Sequence, residues 1–386
     1  MKTLLEGTRA PASLVAALDG RGGEIEKLRR LPDDLVAELL GSGIFRACVP
    51  AVYGGDEKPL IETLALVEDI AFYDGSTGWC AGIGATTSTL SAWLQPDAAA
   101  LVYGDANVIT GGHAAMLGTA APAPAGGLLV NGAWQWGSGT QHCSWVVGGC
   151  RMTNSEGKAA PGPGGLEQAV VFMRPPQLEF IDTWHVSGLK GTGSVDFKAD
   201  DVVVEAGLWA DPFTRPPVLD LPLSRFPFFG LLACGVTCVS LGIARRALAE
   251  FLELAASKVP FQAARTLAER PTVQAGVARA EADLLSARAL LRESVEAAWA
   301  SAEQGSLPDE QRRVLRLAAT NATLSSVRAV DFLYTAAGGS AVYESSPMQR
   351  LFRDIHVATQ HAMVNERTLE LTGRMALGLP TDTTTL

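Results

Sequence analysis

The sequence has little charge. Asp, Glu, Lys and Arg make up 19% of its 386 residues, whereas about a quarter is typical of soluble proteins. The 41 acidic residues outnumber the 31 basic ones, and no basic run is interleaved with aromatic residues. This balance argues against nucleic acid as a partner. Because charge is scarce while 47% of the residues are apolar, we expect subunit contacts to cover much of the surface in an oligomer.

Cysteine pairs with the spacing of a disulfide framework or a metal site are also missing. The six cysteines are scattered at Cys48, Cys80, Cys143, Cys150, Cys234 and Cys238. Such a distribution is typical of buried free thiols in a reducing compartment and predicts no metal site. Residues 1–6 lack the apolar stretch of a signal peptide. We therefore expect a cytoplasmic protein.

One segment is apolar enough to suggest a membrane span. Residues 226–244 carry no charge and precede Arg245 and Arg246. They also contain Pro227 and three glycines, and no second segment resembles them. We interpret the segment as a helix buried in a soluble core, and we expect no membrane partner.

The common catalytic fingerprints are absent as well. The sequence has no HExxH zinc motif, no phosphate-binding P-loop and no GxSxG nucleophile elbow, and residues 191–194 (GTGS) lack the strand-to-helix setting of a dinucleotide fold. Histidines are few, and two of them, His356 and His361, are predicted to share one C-terminal helix. Their spacing separates them by about 140° around a helix, so they cannot hold one metal ion.

What the sequence does contain is a change of periodicity along the chain. Over residues 1–107 the apolar spacing is helical, as in residues 60–72. Short β-type runs divided by Gly, Pro and Asn follow over residues 108–215 and predict a compact antiparallel domain. Over residues 216–386 the period is helical again. The sequence therefore predicts three domains with these boundaries.

Two long helices are predicted in the last domain. The second begins near Pro308, where acidic residues follow, and ends at Gly338 and Gly339, which permit a left-handed cap. The first is marked by apolar residues at alternating steps of four and three, as in a bundle seam. These residues are Val273, Val277, Ala280, Leu284, Ala287, Leu291 and Ala298.

Residues 134–142 (WQWGSGTQH) are a candidate cofactor-binding segment. They place two tryptophans beside Ser138, and aromatic surface with a small hydroxyl suits a planar cofactor. The edge of an ordinary β domain with a Ser-Gly turn explains the same residues. The pattern alone leaves both interpretations open.

Several motifs, taken in order, resemble the acyl-CoA dehydrogenase fold over nearly the whole chain, and within it the two-component (group D) flavin-dependent monooxygenases. The motifs are residues 31–32 (LP), 49–55 (VPAVYGG), 74–79 (DGSTGW), 132–139 (GAWQWGSG), 184–194 (WHVSGLKGTGS), 271–274 (PTVQ) and 338–361 with its Arg353–Asp354 pair. The resemblance implies a mostly α fold with a central β domain. An N-terminal helical domain precedes a middle antiparallel β-barrel or sandwich, and a C-terminal four-helix bundle follows.

The resemblance also distinguishes two activities on that fold. Short-chain acyl-CoA dehydrogenases carry a proton-abstracting glutamate at the position of Ala362, and Glu366 lies one helical turn farther along. A carboxylate displaced by that distance cannot reach the same proton, which disfavours dehydrogenation of an acyl thioester. The monooxygenases instead have a histidine at the position of His361. The resemblance thus implies that reduced flavin, FMNH2 or FADH2, and O2 form a C4a-hydroperoxide that hydroxylates an aromatic, phenolic or heteroaromatic small molecule.

The family pattern implies catalytic roles for three residues. His361 stabilises or protonates the peroxide, with an imidazole pKa near neutral. Ser138 corresponds to a serine whose hydroxyl approaches flavin N5 and slows the loss of hydrogen peroxide. His113 corresponds to a substrate-side histidine that polarises or deprotonates a phenol.

The cofactor-binding residues implied by the resemblance fall into two groups. Within one subunit, Trp136 and Trp184 line the flavin with Ser138, and Ser194 faces its phosphate end. The second group reaches the flavin of a neighbouring subunit and consists of Arg265, Gln274, Gly338 and Gly339. This arrangement implies a homotetramer that receives reduced flavin from a separate reductase.

Other functions remain open on the residues alone. Sugar N-oxygenases on the same scaffold oxidise an amine nitrogen, and the sequence does not separate nitrogen from ring-carbon oxygenation. An acyl-CoA dehydrogenase-like oxidoreductase, or a non-catalytic scaffold without flavin, is a further alternative. In each enzymatic case, residues 88–94 and 213–229 are the predicted walls of the pocket.

Overall fold

The fold is seen in a computed structural model that describes residues 9–124 and 126–386. The expectation that residues 1–6 form no signal peptide lies outside the described residues. Helices occupy both ends of the described chain, and a β-sheet lies between them. This order of elements confirms a mostly α fold with a central β region.

The helices before the sheet bury apolar residues in the core of the protein. They are α1 (Ala12–Leu18), α2 (Gly22–Leu28), α3 (Asp33–Gly41), α4 (Leu60–Tyr73), α5 (Gly75–Thr87) and α6 (Pro96–Tyr103). Asp74 separates α4 from α5 and caps α5, because its carboxylate accepts hydrogen bonds from the backbone N–H and the hydroxyl of Thr77. The cap fixes the start of the helix that carries Trp79.

The middle of the chain forms one sheet. Its strands are β1 (Thr110–Pro122), β2 (Leu128–Gly137), β3 (Trp145–Met152), β4 (Gln168–Met173), β5 (Glu179–Ile181), β6 (Val195–Val204) and β7 (Trp209–Ala210), in the order β5-β6-β2-β1-β3-β4-β7. β1 pairs antiparallel with β2 and parallel with β3. The predicted antiparallel barrel or sandwich is therefore wrong: the sheet is mixed and stays open. The reason is that residues 138–144 cross the start of β1 and bring β3 to its other side.

The helices after the sheet include three long ones. They are α7 (Pro222–Arg225), α8 (Phe228–Ser257), α9 (Pro271–Glu303), α10 (Asp309–Ala337), α11 (Pro347–Ala358) and α12 (Arg367–Ala376). The two predicted long helices are confirmed as α9 and α10. In the α9 seam Val277 is only half-buried, and Gly276 takes its place, where a Cβ would lie 1.9 Å from the ring of Phe332. The predicted four-helix bundle is not confirmed, since α4 also packs on the long helices.

Helix α8 is the segment that resembled a membrane span. Within the described residues it is the one helix with suitable length and composition, and its most apolar window has a mean hydropathy of 1.7. That window is 83% buried inside the protein, by α4, α5, α10 and α11 among others. This burial confirms the interpretation of α8 as a core helix.

The six cysteines are buried and free, as predicted. Burial raises the pKa of Cys48 and Cys143 to about 12. Both thiols are therefore protonated at neutral pH and behave as small apolar side chains.

Candidate active site

A bulge in β2 gives two candidate cofactor residues opposite orientations. Between Trp134 and Gly137 the pairing of β2 with β6 shifts register, and Trp136 has a φ of 60° in the left-handed region. Trp136 is 61% exposed, whereas Ser138 is 8% exposed. Positive φ at a bulky residue is costly and occurs where the surrounding structure enforces it, often at functional sites. The bulge thus presents a flat aromatic surface beside an inward-facing hydroxyl.

Ser138 belongs to a chain of buried hydrogen bonds, which we call the hydroxyl chain. The indole N–H of Trp79 donates to Ser138 Oγ at 3.0 Å, and Ser138 Oγ lies 2.7 Å from Ser194 Oγ. Ser194 Oγ is 2.7 Å from Thr192 Oγ1, which donates to the carbonyl oxygen of Leu189 at 2.8 Å. Because the carbonyl at the end can only accept, each hydroxyl in the chain donates toward Leu189.

This direction leaves Ser138 with one free acceptor site. Its hydroxyl accepts from Trp79 and donates to Ser194, so one lone pair remains for a ligand. A group that carries a hydrogen, such as N5 of a reduced flavin, suits this lone pair. The Ser194 hydroxyl, which the resemblance placed at the phosphate end of the flavin, accepts from Ser138 and donates to Thr192.

His361 lies in the turn after α11 and not on the helix predicted for it. The helix ends at Ala358, and the ring Nδ1 of His361 accepts a hydrogen bond from the backbone N–H of Met363 at 3.3 Å. This local bond competes with continuation of the helix. The ring packs edge-on against Trp79, with centroids 5.6 Å apart. His361 therefore lies next to the start of the hydroxyl chain.

The second histidine of the predicted pair is directed elsewhere. His356 remains on α11, where its Nδ1 donates to the carbonyl oxygen of Phe352 at 2.8 Å and its Nε2 lies 3.3 Å from a carboxylate oxygen of Asp331. The two rings have different partners, and what separates them is the end of the helix and not its periodicity.

The surroundings of His361 lower its pKa to about 4. Burial of the ring is the main cause, and His113 and Arg316 act in the same direction. The imidazole is therefore neutral at pH 7. Since Nδ1 accepts from Met363, the hydrogen is on Nε2. The near-neutral pKa implied by the resemblance is not found, and the ring serves as a neutral hydrogen-bond donor.

His113 supplies a hydrogen-bond acceptor, which complements the N–H donor of His361. Its Nδ1–H donates to the carbonyl oxygen of Gln135 at 2.6 Å, which leaves Nε2 as a free acceptor. The ring stacks on Trp136, with centroids 6.3 Å apart and 28° between the planes. After burial, His113 is the next contribution to the lowered pKa of His361. The site thus offers one neutral N–H donor and one imidazole acceptor.

Leu189 connects the hydroxyl chain with α11. Its φ of 49° is unusual for a residue other than glycine, and three hydrogen bonds with side chains and one from the backbone N–H of Thr192 hold it there. Its N–H donates to the carboxylate of Asp354 at 2.6 Å, and its carbonyl oxygen accepts from the Thr192 hydroxyl and from Trp184 Nε1 at 3.1 Å. One residue thereby positions Trp184 and the end of the hydroxyl chain.

The carboxyl group of Asp354 makes stability depend on pH. Burial raises its pKa to about 7, although the hydrogen bond from Leu189 opposes this, and Asp74 raises it further. The folded protein holds this proton more tightly than the unfolded chain, so the contribution of Asp354 to the free energy of unfolding falls as the pH rises from about 4 to about 7.

Asp354→Asn is therefore expected to become more stable relative to the wild type over this pH range. The amide oxygen keeps the bond from Leu189 but does not titrate, so the difference grows by up to about 1.4 kcal/mol per pH unit. Urea unfolding of both proteins at about pH 5 and about pH 8 measures it. If the free energies of unfolding of the two proteins differ by the same amount at both pH values, the raised pKa assigned to Asp354 is contradicted.

The residues predicted to reach a neighbouring subunit form a separate exposed surface. Lys258 joins its parts, because its Nζ donates to the carbonyl of Ala337 and its own carbonyl accepts from Leu267 N–H. The surface contains Arg265, Gln274, Gly338 and Gly339. In the described chain no hydrogen bond links these four residues to Ser138 or His361.

The face around the bulge fits a reduced flavin. The exposed indole of Trp136 offers a flat support, and the free lone pair of Ser138 accepts a hydrogen. A cleft of about 460 Å³ lined by Trp184, Arg29 and Val195 adjoins the hydroxyl chain and suits the polar tail of the cofactor. These residues would hold the flavin, which supplies the activation of O2.

The position of the dehydrogenase base carries no carboxylate. Ala362 occupies it, and Glu366 is exposed where α12 begins. Burial, His113 and Arg316 lower the pKa of His361, and none of these causes is a carboxylate. The site therefore lacks the group that removes a proton from an acyl thioester.

A groove with a volume of about 1080 Å³ lies next to the segment that follows His113. Phe213 and Phe229, whose rings stack at 5.3 Å, line one wall with Trp93, so both predicted pocket walls contribute. Residues 114–117, which directly follow His113, form the opposite wall. An aromatic-lined groove of this size suits a small planar substrate.

Sequence reasoning missed Trp79, Thr192, Asp354 and Arg316 as site residues. Trp79 and Thr192 lie within motifs that were recognised, but the motifs gave no side-chain direction. The available signal for Arg316 is its helical phase. It lies on α10 one turn before Thr320, on the face whose other members are buried.

Curated relatives agree with this geometry. Residues 234–366 match the family described as acyl-CoA dehydrogenase, C-terminal domain. The indole-3-acetate monooxygenase of Pseudomonas putida is 33% identical over 96% of this chain and 96% of its own length. The oxygenase subunit HsaA of a flavin-dependent monooxygenase from Rhodococcus jostii (strain RHA1) is 30% identical over 96% of this chain and 98% of its own length.

Solved structures extend the likeness to the whole fold. The 3-HSA hydroxylase from Rhodococcus sp. RHA1 has a TM-score of 0.87 at 28% identity, covering 96% of this chain and 97% of that chain. XiaF from Streptomyces sp., solved in complex with FADH2 and glycerol, has a TM-score of 0.86 at 25% identity and covers 96% of each chain. The chain therefore belongs to the oxygenase components of flavin-dependent monooxygenases, on the acyl-CoA dehydrogenase fold, which confirms the resemblance of its motifs.

Proposed function

We infer that the protein hydroxylates an aromatic small molecule with O2 and with flavin reduced by a separate reductase. One observation carries this inference: His361 and Ser138 both contact Trp79, and no carboxylate stands at position 362, where the dehydrogenases have their base. The ring of His113 stacks on Trp136, two residues before Ser138. When bound, reduced flavin supplies the activated oxygen. The side chains supply position and protons.

Each side chain has a distinct task in this proposal. Trp136 supports the ring of the cofactor, and Ser138 accepts the hydrogen of its N5 and so slows the release of hydrogen peroxide. His361 donates a hydrogen bond from Nε2 to the oxygen that is transferred. His113 accepts a hydrogen from the ring N–H or O–H of the substrate, which makes the ring more electron-rich.

The substrate we propose is an indole or a phenol. The stacked phenylalanines of the groove suit a planar ring, and Nε2 of His113 suits its ring hydrogen. The likeness to an indole-3-acetate monooxygenase supports an indole bearing an acetic acid side chain.

We also propose a homotetramer in the cytoplasm, with the domain boundaries predicted from the periodicity. The low charge fraction supports extensive subunit contacts. In such a tetramer Arg265, Gln274, Gly338 and Gly339 complete the flavin site of a neighbouring subunit, which their exposure supports. Equilibrium titration with FMNH2 and FADH2 decides which flavin is preferred.

Rapid mixing of the protein and reduced flavin with O2 tests the function. We expect a transient absorbance before the flavin is reoxidised, and with indole-3-acetate we expect a product that carries one oxygen atom from isotopically labelled O2. Flavin without protein is the control. Reoxidation without a transient at every pH, together with an unlabelled substrate pool, contradicts the proposed function.

A further inference from the structure

Arg316 is a buried cation without a buried anion. It lies on α10 and is 1% exposed. Its Nη1 donates to the carbonyl oxygen of Phe229 at 3.0 Å and lies 3.4 Å from the Met363 sulfur. Among the described residues its Nε has no hydrogen-bond partner, and no carboxylate forms an ion pair with it. A buried charge in this state is expensive and requires an explanation.

Other buried arginines of the chain show what a structural role looks like. Arg245 has carboxylate oxygens of Glu68 and Asp69 at 2.7 and 3.0 Å. Arg46 donates to three backbone carbonyls, at 2.7 to 3.3 Å. Arg316 has a single carbonyl and a thioether, which is a weak acceptor. Its partners therefore do not account for its burial.

The position of Arg316 links it to the active site. Its charge contributes to the lowered pKa of His361, and Met363 is two residues beyond His361. Its partner Phe229 lines the groove proposed for the substrate. The guanidinium therefore contacts one residue of the groove wall and one residue of the turn that holds His361.

Two of the arginines that line the groove are already neutralised. Arg225 pairs with Asp220 at 2.6 Å, and Arg312, one turn before Arg316 on α10, pairs with Asp309 at 3.2 Å. Arg151 also lines the groove without an ion pair among the described residues, but it is exposed. The charge of Arg316 is buried, and its low-polarity surroundings strengthen any ion pair that it forms.

We propose that Arg316 binds the carboxylate of the substrate, so that the enzyme selects aromatic acids with a short acidic side chain over their uncharged analogues. The carboxylate takes the place of the flexible Met363 thioether beside the guanidinium, and the aromatic ring extends from there toward His361. This inference rests on the proposed function, because it assigns the substrate class to the same site.

The ion pair also acts on His361. A carboxylate at Arg316 offsets part of the positive charge near the imidazole, but burial is the main cause of the lowered pKa of His361, so the ring stays neutral. Binding of an acid at Arg316 therefore leaves His361 as a neutral hydrogen-bond donor.

Two variants and two probes test the proposal. The probes are indole-3-acetate and its uncharged amide, and their binding is measured at equilibrium, without reduced flavin, in the wild type, Arg316→Met and Arg316→Lys. We expect the wild type to prefer the acid about 10- to 100-fold. Arg316→Met is expected to abolish this preference by lowering the affinity for the acid alone. Its affinity for the amide stays within about threefold of the wild-type value. Arg316→Lys retains part of the preference.

Thermal unfolding separates recognition from structural support. Met fills a similar volume without a charge, so Arg316→Met is expected to unfold at the same temperature as the wild type or higher. The proposal is overturned if Arg316→Met unfolds at a lower temperature than the wild type, or if this variant loses affinity for the acid and the amide equally. It is also overturned if the wild type binds neither probe. Arg292→Gln is the control, because it removes one positive charge at an exposed site on α9 that pairs with Glu296.

Failure of the proposed function gives a different result. If the wild type and Arg316→Met bind the probes as expected but reduced flavin and O2 yield only hydrogen peroxide, the carboxylate site stands and the hydroxylation does not. If oxygen is transferred to the acid and the amide equally well in both proteins, the hydroxylation stands and the role of Arg316 does not.

Discussion

His361→Ala is expected to lower the yield of hydroxylated product by about 100- to 1000-fold while reduced flavin is still consumed. The ring is held by Trp79 and by the bond from Met363, and its Nε2–H is the neutral donor of the site. Alanine leaves no donor there. Trp136 and Ser138, which are proposed to hold the flavin, are unaffected. Product is measured by chromatography, and hydrogen peroxide by a coupled assay.

The matched control for this experiment is His356→Ala. His356 is also a histidine of the C-terminal region, but it pairs with Asp331 and faces away from Trp79. It should retain product formation close to that of the wild type. Undiminished product in His361→Ala, or an equal loss in both variants, contradicts the assignment of His361.

Ser138→Ala is expected to shorten the absorbance transient by about 10- to 100-fold and to increase hydrogen peroxide at the expense of product. The variant removes the free lone pair proposed to accept the hydrogen of flavin N5. It also leaves the Trp79 N–H without an acceptor and Ser194 without a donor, which lowers the free energy of unfolding by about 1–3 kcal/mol. Rapid mixing and urea unfolding measure the two effects separately.

Thr140→Ala is the control for Ser138→Ala. Thr140 lies two residues farther along, is 1% exposed, and donates to the carbonyl of Gly137 at 2.7 Å. It lines the cleft proposed for the polar tail of the flavin but is not part of the hydroxyl chain, so its loss affects stability and flavin affinity without shortening the transient at saturating flavin. A transient of normal length in Ser138→Ala would show that N5 is held by another group.

Local signals in the sequence predict the helices well. The acidic residues after Pro308 and the flexible Gly338 mark the bounds of α10, because charge and backbone freedom act within one or two turns. The burial of α8 also follows from its composition. These features depend on neighbours along the chain, which the sequence displays directly.

The order of the strands in the sheet depends on residues far apart along the chain and cannot be predicted from local sequence patterns. Strand β1 (Thr110–Pro122) is rich in Gly and Ala and lacks the β-branched runs that mark other strands, so its central position is not signalled. Its parallel pairing with β3 follows from the path of residues 138–144. Pattern alone cannot show on which side of β1 the chain returns.

The candidate site is predictable where a motif fixes a residue type and not where a side chain must be followed in space. Ser138 and His361 were found through their motifs, yet the direction of the hydroxyl chain and the low pKa of His361 depend on Trp79, Thr192 and Arg316. Those contacts join segments far apart in sequence. The predicted near-neutral pKa was wrong for this reason.

The groove and the hydroxyl chain have no residue in common. The groove is walled by residues 114–117, 212–214, the first turn of α8 and residues 383–386, whereas the hydroxyl chain comes from α5, the end of β2 and residues 189–194. Mutations in the walls can therefore accumulate without disturbing how oxygen is handled. A scaffold divided in this way is suited to evolve new substrate ranges, and directed evolution of selectivity is best confined to the walls.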